Sequence, residues 1–338
     1  MKFSCWFPLL LAAALFAPAG RAAFISGHSY QPLADWAGRK GFHTAARSGD
    51  EIVLTNRTAR LVFDRDSRTA EINGVNVALS FPVAADKGRF SIASLDLART
   101  VGPLVLAPKP AAKKISTICL DPGHGGKDPG NHTGWHYEKT LTLALAGELR
   151  DQLKAAGFKV LLTRKKDQFV ELPARPDLAN RANADLFVSL HFNATESGQA
   201  EVSGPETYCI TPVGASSSNA QGEGANYGAT PANIFEKKSL LLAYQVQKAL
   251  VKNLDVEDRS VRRARFAVLR DADMPAILIE SGYMTHPEEG KMIFDAGYRR
   301  QLAAAIVKGI LNYQRLTAPA TETLTTNTPA KVSKPKKS

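Results

Sequence analysis

Short apolar runs alternate with longer stretches of helical periodicity from residue 115 onward. The apolar runs predict strands over 116–120, 158–162, 185–190, 206–211, 265–269 and 276–279. The stretches with helical periodicity lie between or after these strands and cover 138–156, 172–182, 234–254 and 296–316. Strands separated by helices predict an α/β domain over 115–316, with a mostly parallel sheet and helices on both faces.

A different pattern precedes this domain. One short amphipathic helix is predicted over 30–42, followed by strands over 51–55, 59–63 and 69–80, the last with Asn73-Gly74 as a hairpin turn. A second short helix is predicted over 94–105. These elements predict a small β-rich α+β domain over 24–108, joined to the second domain by a linker over 109–114.

Both ends of the chain differ from its globular part. Residues 1–22 combine a basic start, an apolar run of about ten residues and a small-residue cleavage site, which predicts a secretory signal peptide. A membrane anchor is the alternative for this segment. The lysines near the other end predict a disordered basic tail over 317–338. The signal peptide places the protein in the periplasm or outside the cell, and no later stretch is apolar enough to span a membrane.

Net charge indicates the kind of partner, and the cysteines indicate whether a disulfide forms. The formal net charge of +11 favours anionic partners. Without a nucleic-acid motif, however, we predict no nucleic acid among them. Cys119 and Cys209, the cysteines left after cleavage, lie in strand-like runs, which favours two buried free thiols. A single disulfide is the alternative in an oxidising compartment.

Chemistry-bearing residues follow several of the predicted strands. His124 follows the first strand, His191 follows the run DLFVSL and Glu280 follows PAILI, while Glu138 begins the first helix. Ligands of an open parallel sheet bind at the carboxyl ends of its strands, so these side chains are expected at one edge. Two imidazoles and a carboxylate with an open position are typical of catalytic zinc, which predicts His124, Glu138 and His191 as ligands of Zn²⁺. Glu280 is the candidate catalytic base.

Each of these residues also has a structural interpretation. A histidine in a glycine loop is often only structural, and His132 and His136 are rival ligands nearby. Glu280 is able to cap a helix or pair with Arg270. Their joint placement at one edge is what favours a site.

Several motifs, in order, resemble the zinc-dependent N-acetylmuramoyl-L-alanine amidases, which have a phosphorylase-like or hydrolase-like α/β fold. They are LDPGHGGK at 120–127, EKT at 138–140, LTR at 162–164, ADLFVSLHFNA at 184–194 and PAILIESGYMTHPEE at 275–289. The resemblance implies that His124, Glu138 and His191 bind Zn²⁺ and that Glu280 is the base. It implies peptidoglycan as the substrate, cut between N-acetylmuramic acid and L-alanine. Leu190, Phe192 and Tyr283 depart from the usual residues and put fine specificity in question.

The resemblance also implies an activator protein as a partner. Some members carry a helical insert that plugs the zinc site until an activator binds. The glycine-rich loop 212–231 is a poor helix former, so no plug is predicted here and a mobile loop is expected instead. The first domain loosely resembles the N-terminal domain of copper amine oxidases, without copper ligands. It is interpreted as a binding or positioning module, or a spacer.

Two further residues are candidates near the site. Asn193 is predicted to bond substrate or a metal ligand, and Arg175 to orient a loop through carbonyl groups. The run Arg259, Arg262, Arg263 and Arg265 either binds the carboxylates of stem peptides or forms a solvated face. The leading hypothesis is a zinc amidase. The rivals are a zinc peptidase that cuts within the stem and a wall-binding protein with a degenerate site.

Overall fold

A computed structural model describes residues 23–108, 110, 113–218 and 228–319. The predicted signal peptide and nearly all of the predicted tail lie outside these residues. So do part of the linker and positions 219–227 of the glycine-rich loop.

The strands are β1 (Ala23–Ile25), β2 (His28–Pro32), β3 (His43–Arg47), β4 (Glu51–Thr55), β5 (Arg60–Asp64), β6 (Thr69–Ile72), β7 (Val75–Ala78), β8 (Ala84–Asp86), β9 (Arg89–Ala93), β10 (Thr117–Pro122), β11 (His132–Thr133), β12 (His136–Tyr137), β13 (Lys159–Leu162), β14 (Leu186–Asn193), β15 (Glu206–Cys209), β16 (Val261–Arg263) and β17 (Ala276–Tyr283).

The α-helices are α1 (Leu33–Arg39), α2 (Ser94–Asp96), α3 (Gly102–Val105), α4 (Glu138–Ala155), α5 (Ala174–Arg181), α6 (Glu236–Leu254), α7 (Ala267–Arg270), α8 (Glu289–Phe294) and α9 (Ala296–Thr317). A π-helical turn (Leu97–Val101) joins α2 to α3, and a 3-10 turn (Pro231–Phe235) leads into α6. Among the described residues, no helix is both long and apolar enough to cross a membrane.

The main sheet is mixed, so the prediction of a mostly parallel sheet is wrong. Within the described residues it has 11 strands, in the order β13-β10-β14-β17-β15-β16-β7-β6-β5-β4-β3. The first four strands are parallel, but β15 runs antiparallel to β17. From β7 to β3 the strands are joined by short turns, which makes their pairing antiparallel. The Asn73-Gly74 turn lies between β6 and β7 as predicted, with both residues at positive φ.

The two predicted domains share this sheet. β7 of the first unit pairs in parallel with β16 of the second, at Val77 opposite Val261. The backbone N–H of Asn76 also donates to Asp258 at 2.6 Å. An edge of the first unit therefore extends the sheet of the second, although the boundaries of the predicted domains remain a prediction. A separate four-stranded sheet of β1, β2, β9 and β8 completes the described part of the first unit.

Helices cover both faces of the parallel part, as predicted. Leu186, Val188 and Leu190 of β14 pack into a core that also contains residues of α4, α6 and α9. Phe187 points the other way, into a second cluster with Ala179 of α5 and residues of α7. His191 lies near the carboxyl end of β14, where its ring contacts Glu138 at the start of α4.

One strand prediction is wrong. Residues 265–269 do not form a strand: β16 ends at Arg263, and α7 begins at Ala267. The run FAVL is buried by a helical turn that places Val268 and Leu269 in the second cluster. A four-residue apolar run has no periodicity that distinguishes these two solutions. Cys119 and Cys209 are both free and buried, in agreement with the favoured interpretation.

Candidate metal and catalytic site

Two buried arginines hold the loop that carries His124. The loop follows β10, and His124 has a φ of +60°, which is uncommon for a residue other than glycine. Arg175, only 2% exposed, donates to the carbonyl oxygens of Pro122 and His124, each at 3.0 Å. Arg164 donates to the carbonyl of Gly123 at 2.8 Å. These bonds stabilise the left-handed conformation of His124.

A buried carboxylate compensates the charge of Arg175. Asp121 is fully buried and accepts from Arg175 at 2.9 Å, from the hydroxyl of Thr163 at 2.6 Å and from that of Ser189 at 2.8 Å. A buried charge is tolerated only when it is paired and hydrogen-bonded, and Asp121 meets both conditions. The loop is thereby tied to β14 and to the end of β13.

His124, Glu138 and His191 meet at the carboxyl edge of the sheet. Oε1 of Glu138, the first residue of α4, lies 3.1 Å from Nε2 of His124 and 2.9 Å from Nδ1 of His191. One ligand atom from each residue lies within 4.8 Å of the other two. This is the cluster of metal-ligating side chains found in the described part of the chain, and its spacing suits a single ion.

Neighbouring groups orient these three side chains. Oδ2 of Asp128 lies 2.8 Å from Nδ1 of His124, which directs Nε2 of the ring toward Glu138. The backbone and side-chain amides of Asn131 both donate to Oε2 of Glu138 at 2.9 Å. A metal-binding histidine usually bonds a carboxylate or carbonyl through its other nitrogen, and the pair of His124 and Asp128 fits that pattern.

Two glycines let the loop approach the cluster closely. A Cβ atom at Gly123 would lie 2.3 Å from the ring of His191. One at Gly130 would lie 2.7 Å from Oε2 of Glu138 and from the ring of His124. No larger residue fits at either position unless the site shifts.

Hydrogen bonds set the charge of the cluster. Burial by itself would raise the pKa of Glu138, but the bonds to His124 and His191 hold it well below its usual range. Burial likewise opposes protonation of both histidines, yet their contacts with Glu138 raise the pKa of each. Glu138 is therefore an ionised acceptor at neutral pH.

Glu280 lies one strand away from the cluster. It is directly opposite His191 in the pairing of β14 with β17. Its Oε2 is buried and has no hydrogen-bond partner among the described residues. Burial, reinforced by the negative charges of Glu138 and Glu206 and opposed by His191, raises the pKa of Glu280 to about 7. A carboxyl group in this state is suited to exchange protons near neutral pH.

Comparison with known proteins agrees with this geometry. Residues 118–312, more than half of the chain, match the family model described as N-acetylmuramoyl-L-alanine amidase. The chain belongs to this amidase family.

Named relatives and a solved structure support membership of this family. The amidase AmiC of Neisseria meningitidis is 34% identical over 218 residues, which are 58% of this chain and 52% of that protein. AmiA of Escherichia coli K12 is 32% identical over 232 residues, 61% of this chain and 79% of that protein. The crystal structure of an N-acetylmuramoyl-L-alanine amidase from Clostridium difficile 630 has a TM-score of 0.50 and 35% identity, covering 60% of this chain and 98% of that one. The predicted amidase family and the enzyme class are confirmed, whereas zinc dependence stays a prediction. This chain spans only about half of the Neisseria relative.

The remaining predicted residues of this amidase occupy distinct places. Arg175 contacts loop carbonyls, in the arrangement expected of it. Oδ1 of Asn193 accepts from the N–H of Ala194. The rival His136 stacks on Phe294 with ring centroids 3.7 Å apart, and His132 is exposed in the β11–β12 hairpin.

Sequence reasoning missed the residues that support the site. Asp128 and Asn131 lie in a loop, and a loop has no periodic pattern from which their positions can be predicted. The one available signal is that Asp128 is a carboxylate four residues after the candidate ligand His124. Asp121 ends an apolar strand, where an acid is unusual. Glu206 was placed in a predicted strand without a role.

Proposed function

We propose that this amidase is zinc-dependent and hydrolyses the amide between N-acetylmuramic acid and the L-alanine of the peptidoglycan stem. The observation that supports this proposal is the arrangement of four side chains at one edge of the sheet. His124, Glu138 and His191 converge, and Glu280 lies directly opposite His191 with a buried oxygen that has no partner among the described residues.

The donor set fits zinc. Two imidazole nitrogens and one carboxylate oxygen form the protein half of a catalytic zinc site with an open position, whereas structural zinc sites are closed and rich in cysteine. Cys119 and Cys209 are free and lie outside the cluster. His124, Glu138 and His191 would hold the ion, which when bound supplies a Lewis acid that polarises a carbonyl and acidifies water.

The chain's own residues supply the proton handling. Glu280 takes a proton from the attacking water at its carboxylate and delivers it to the nitrogen of L-alanine as the C–N bond breaks. A new C–O bond forms at the lactyl carbonyl, which leaves a carboxylic acid and a free amine. The pKa of about 7 suits Glu280 to both halves of this transfer.

Digestion of purified sacculi tests the proposal. The protein should release stem peptides that begin with a free L-alanine amino group, identified by mass spectrometry. Glu280→Gln should stay folded and keep equimolar zinc but lose about 10²–10⁴-fold in rate, the range expected for a general base. Glu51→Gln, at an exposed position in the first unit, is the matched control and should keep the full rate.

The products separate the alternatives. A cut between two stem residues would support the peptidase instead. Absence of zinc at equimolar loading, together with binding to sacculi without any release, would support a wall-binding protein. Full activity in Glu280→Gln would rule out the assigned base.

Location and partners complete the proposal. The substrate and the predicted signal peptide support a periplasmic or extracellular enzyme. The activator protein remains a prediction, because residues 219–227 of the loop considered for a plug lie outside the described residues. The likeness of residues 24–108 to copper amine oxidases remains a prediction as well.

A further inference from the structure

A row of three side chains crosses the sheet at the site. His191 of β14 lies opposite Glu280 of β17, and Glu280 lies opposite Glu206 of β15. Residues opposite each other on neighbouring strands point to the same face of a sheet. Glu206 therefore continues the row beyond Glu280, on the side away from His191.

Glu206 is a buried carboxylate with four hydrogen-bond or ion-pair partners. It is 2% exposed and accepts from the hydroxyl of Tyr208 at 2.6 Å and from that of Tyr283 at 3.0 Å. It also pairs with Arg259 at 3.0 Å and with Arg262 at 3.5 Å. A buried carboxylate with four such partners is poorly placed to bind a metal or move a proton. Its evident effect is to hold two arginines beside Glu280.

The structure separates the basic run into two pairs. Arg263 donates to the carbonyls of Ile210 and Arg99, and Arg265 donates to those of Pro212 and Ala215. The second pair thus bonds the backbone of the protein. Arg259 and Arg262 converge instead on the Glu206 side chain. Arg263 is buried, so the interpretation of the run as a solvated face is wrong for this residue, and binding of stem-peptide carboxylates stays a prediction.

Arg259 is fixed yet reaches solvent. Its Nε donates to Glu206, and its guanidinium carbon lies 5.2 Å from the centroid of the Tyr283 ring. The side chain is 22% exposed. Its only other ion pair among the described residues is a loose one, 3.8 Å from the exposed Glu257. Two arginines around one buried acid leave an excess of positive charge, which is suited to a further anion.

The first unit supports the loop that carries Arg259. The neighbouring Asp258 accepts from the backbone N–H of Asn76 at 2.6 Å, and from the side chain of Gln247 at 2.8 Å. The loop is therefore held between β7 and α6. A guanidinium held in this way loses little freedom when an anion binds.

The spacing matches a stem peptide. Adjacent strands lie about 4.8 Å apart, so Glu206, two strands from His191, is roughly 10 Å away from it. An extended peptide spans about 3.5 Å per residue. With the scissile amide beside His191 and Glu280, a carboxylate on the second stem residue falls roughly 7 Å further along. That reach brings it near Arg259.

We propose that Arg259, oriented by Glu206 and Tyr283, binds a carboxylate of the stem peptide close to the scissile amide and so determines specificity. Arg262 adds positive charge beside it. This inference rests on the proposed amidase function and deepens it. The ligand is an acidic peptide whose second residue keeps a free α-carboxylate.

Two synthetic muramoyl tripeptides test the proposal. They are identical except that the second residue carries an α-carboxylate in one and an α-carboxamide in the other. The wild-type protein should have a kcat/KM about 10–100-fold higher for the carboxylate, mainly through KM, as expected for charge-assisted hydrogen bonds. Arg259→Gln should lose this preference, because its kcat/KM should fall much more on the carboxylate substrate than on the carboxamide. Arg181→Gln, which removes an arginine that is 73% exposed, is the control and should keep the preference.

The outcomes are separable. Equal kcat/KM of the wild-type protein for the two substrates overturns the inference, whether or not Arg259→Gln folds. An equal fall on both substrates in Arg259→Gln also overturns it, because that is the sign of a structural role. Failure of the wild-type protein to cleave either amide contradicts the proposed function instead.

Discussion

Two buried glutamates flank Glu280, and their surroundings differ in kind. Glu138 contacts two imidazoles, His124 and His191, which are able to lose their protons and share an ion. Glu206 contacts guanidinium and phenol groups. Burial, with Glu206 reinforcing it, raises the pKa of Tyr283 to about 12, so this phenol only donates at neutral pH. We refer to these two sets as the Glu138 group and the Glu206 group.

The difference shows how one residue type acquires three chemical environments at neighbouring positions. Imidazole partners make the Glu138 group open to a metal, whereas permanent donors make the Glu206 group closed. Glu280, between them, has a buried oxygen without a partner in the described part of the chain. Hydrogen-bond partners, rather than burial, therefore distinguish the proposed metal ligand Glu138, the proposed base Glu280 and Glu206.

Removing an imidazole from the Glu138 group should have the largest effect on zinc binding and activity. In His191→Ala the Glu138 group loses a ligand, so zinc at equimolar loading and at least about 10³-fold of the activity should be lost. The Glu206 group should be unchanged, because none of its bonds involve His191. Metal analysis and sacculus digestion measure both effects.

His132→Ala is the matched control, since this histidine is exposed in the β11–β12 hairpin. It should keep zinc and activity. Retention of zinc in His191→Ala would contradict the assignment of the Glu138 group as the metal site.

Weakening the support of His124 should have an intermediate effect. Asp128→Asn replaces the carboxylate that lies 2.8 Å from Nδ1 of His124 with a neutral amide. Zinc affinity should fall about 10–100-fold, as is usual when such a support is lost. Competition with a chelator of known affinity measures the change. Asp86→Asn, at an exposed position in β8, should leave the affinity unchanged, and an equal affinity in Asp128→Asn would show that this contact does not orient the ligand.

The smallest expected effect concerns the stability of the metal-free protein. The pKa of Glu280 is raised by burial from 4.5 to about 7, so the folded state holds this proton more tightly than the unfolded state. Stability from this group is present below about pH 4.5 and is lost as the pH rises toward 7. Glu280→Gln cannot ionise, so at pH 8 it should be more stable than the wild-type protein by roughly 3 kcal/mol.

Urea unfolding of both metal-free proteins at pH 4 and pH 8 measures this difference. The two proteins should be nearly equal at pH 4, where the carboxyl is neutral in both states. A stability difference that is the same at both pH values would indicate a packing effect. It would contradict an ionisation penalty at Glu280.

Much of the site follows from local pattern. The run DLFVSL predicted a strand that ends near His191, and helical periodicity from Glu138 predicted the helix that starts there. The carboxyl ends of parallel strands meet at one edge, which is why those two residues and Glu280 could be expected together. The structure brings them together, while their assigned roles remain proposals.

Other parts were beyond local pattern. The antiparallel β15 and the continuation of the sheet through β7 depend on which strand edges meet, and periodicity within a strand carries no information about its neighbour. Asp121 and Arg175 are 54 residues apart, and Glu206 and Arg259 are 53 apart, so neither pair leaves a signal in a window of helical or strand length. The helical turn at 267–270 was decided by packing against the second cluster.

The sequence by itself determined most strands and helices of the second unit, apart from 265–269, and the residues available at one edge of the sheet, because apolar periodicity and strand ends are local properties. The tertiary structure alone decided that Glu280 lies between the Glu138 group and the Glu206 group, with one oxygen that has no partner in the described part of the chain. It also decided which two of four neighbouring arginines pair with Glu206. Burial and hydrogen-bond partners are set by residues far apart in the chain, and these fix the chemistry of each carboxylate.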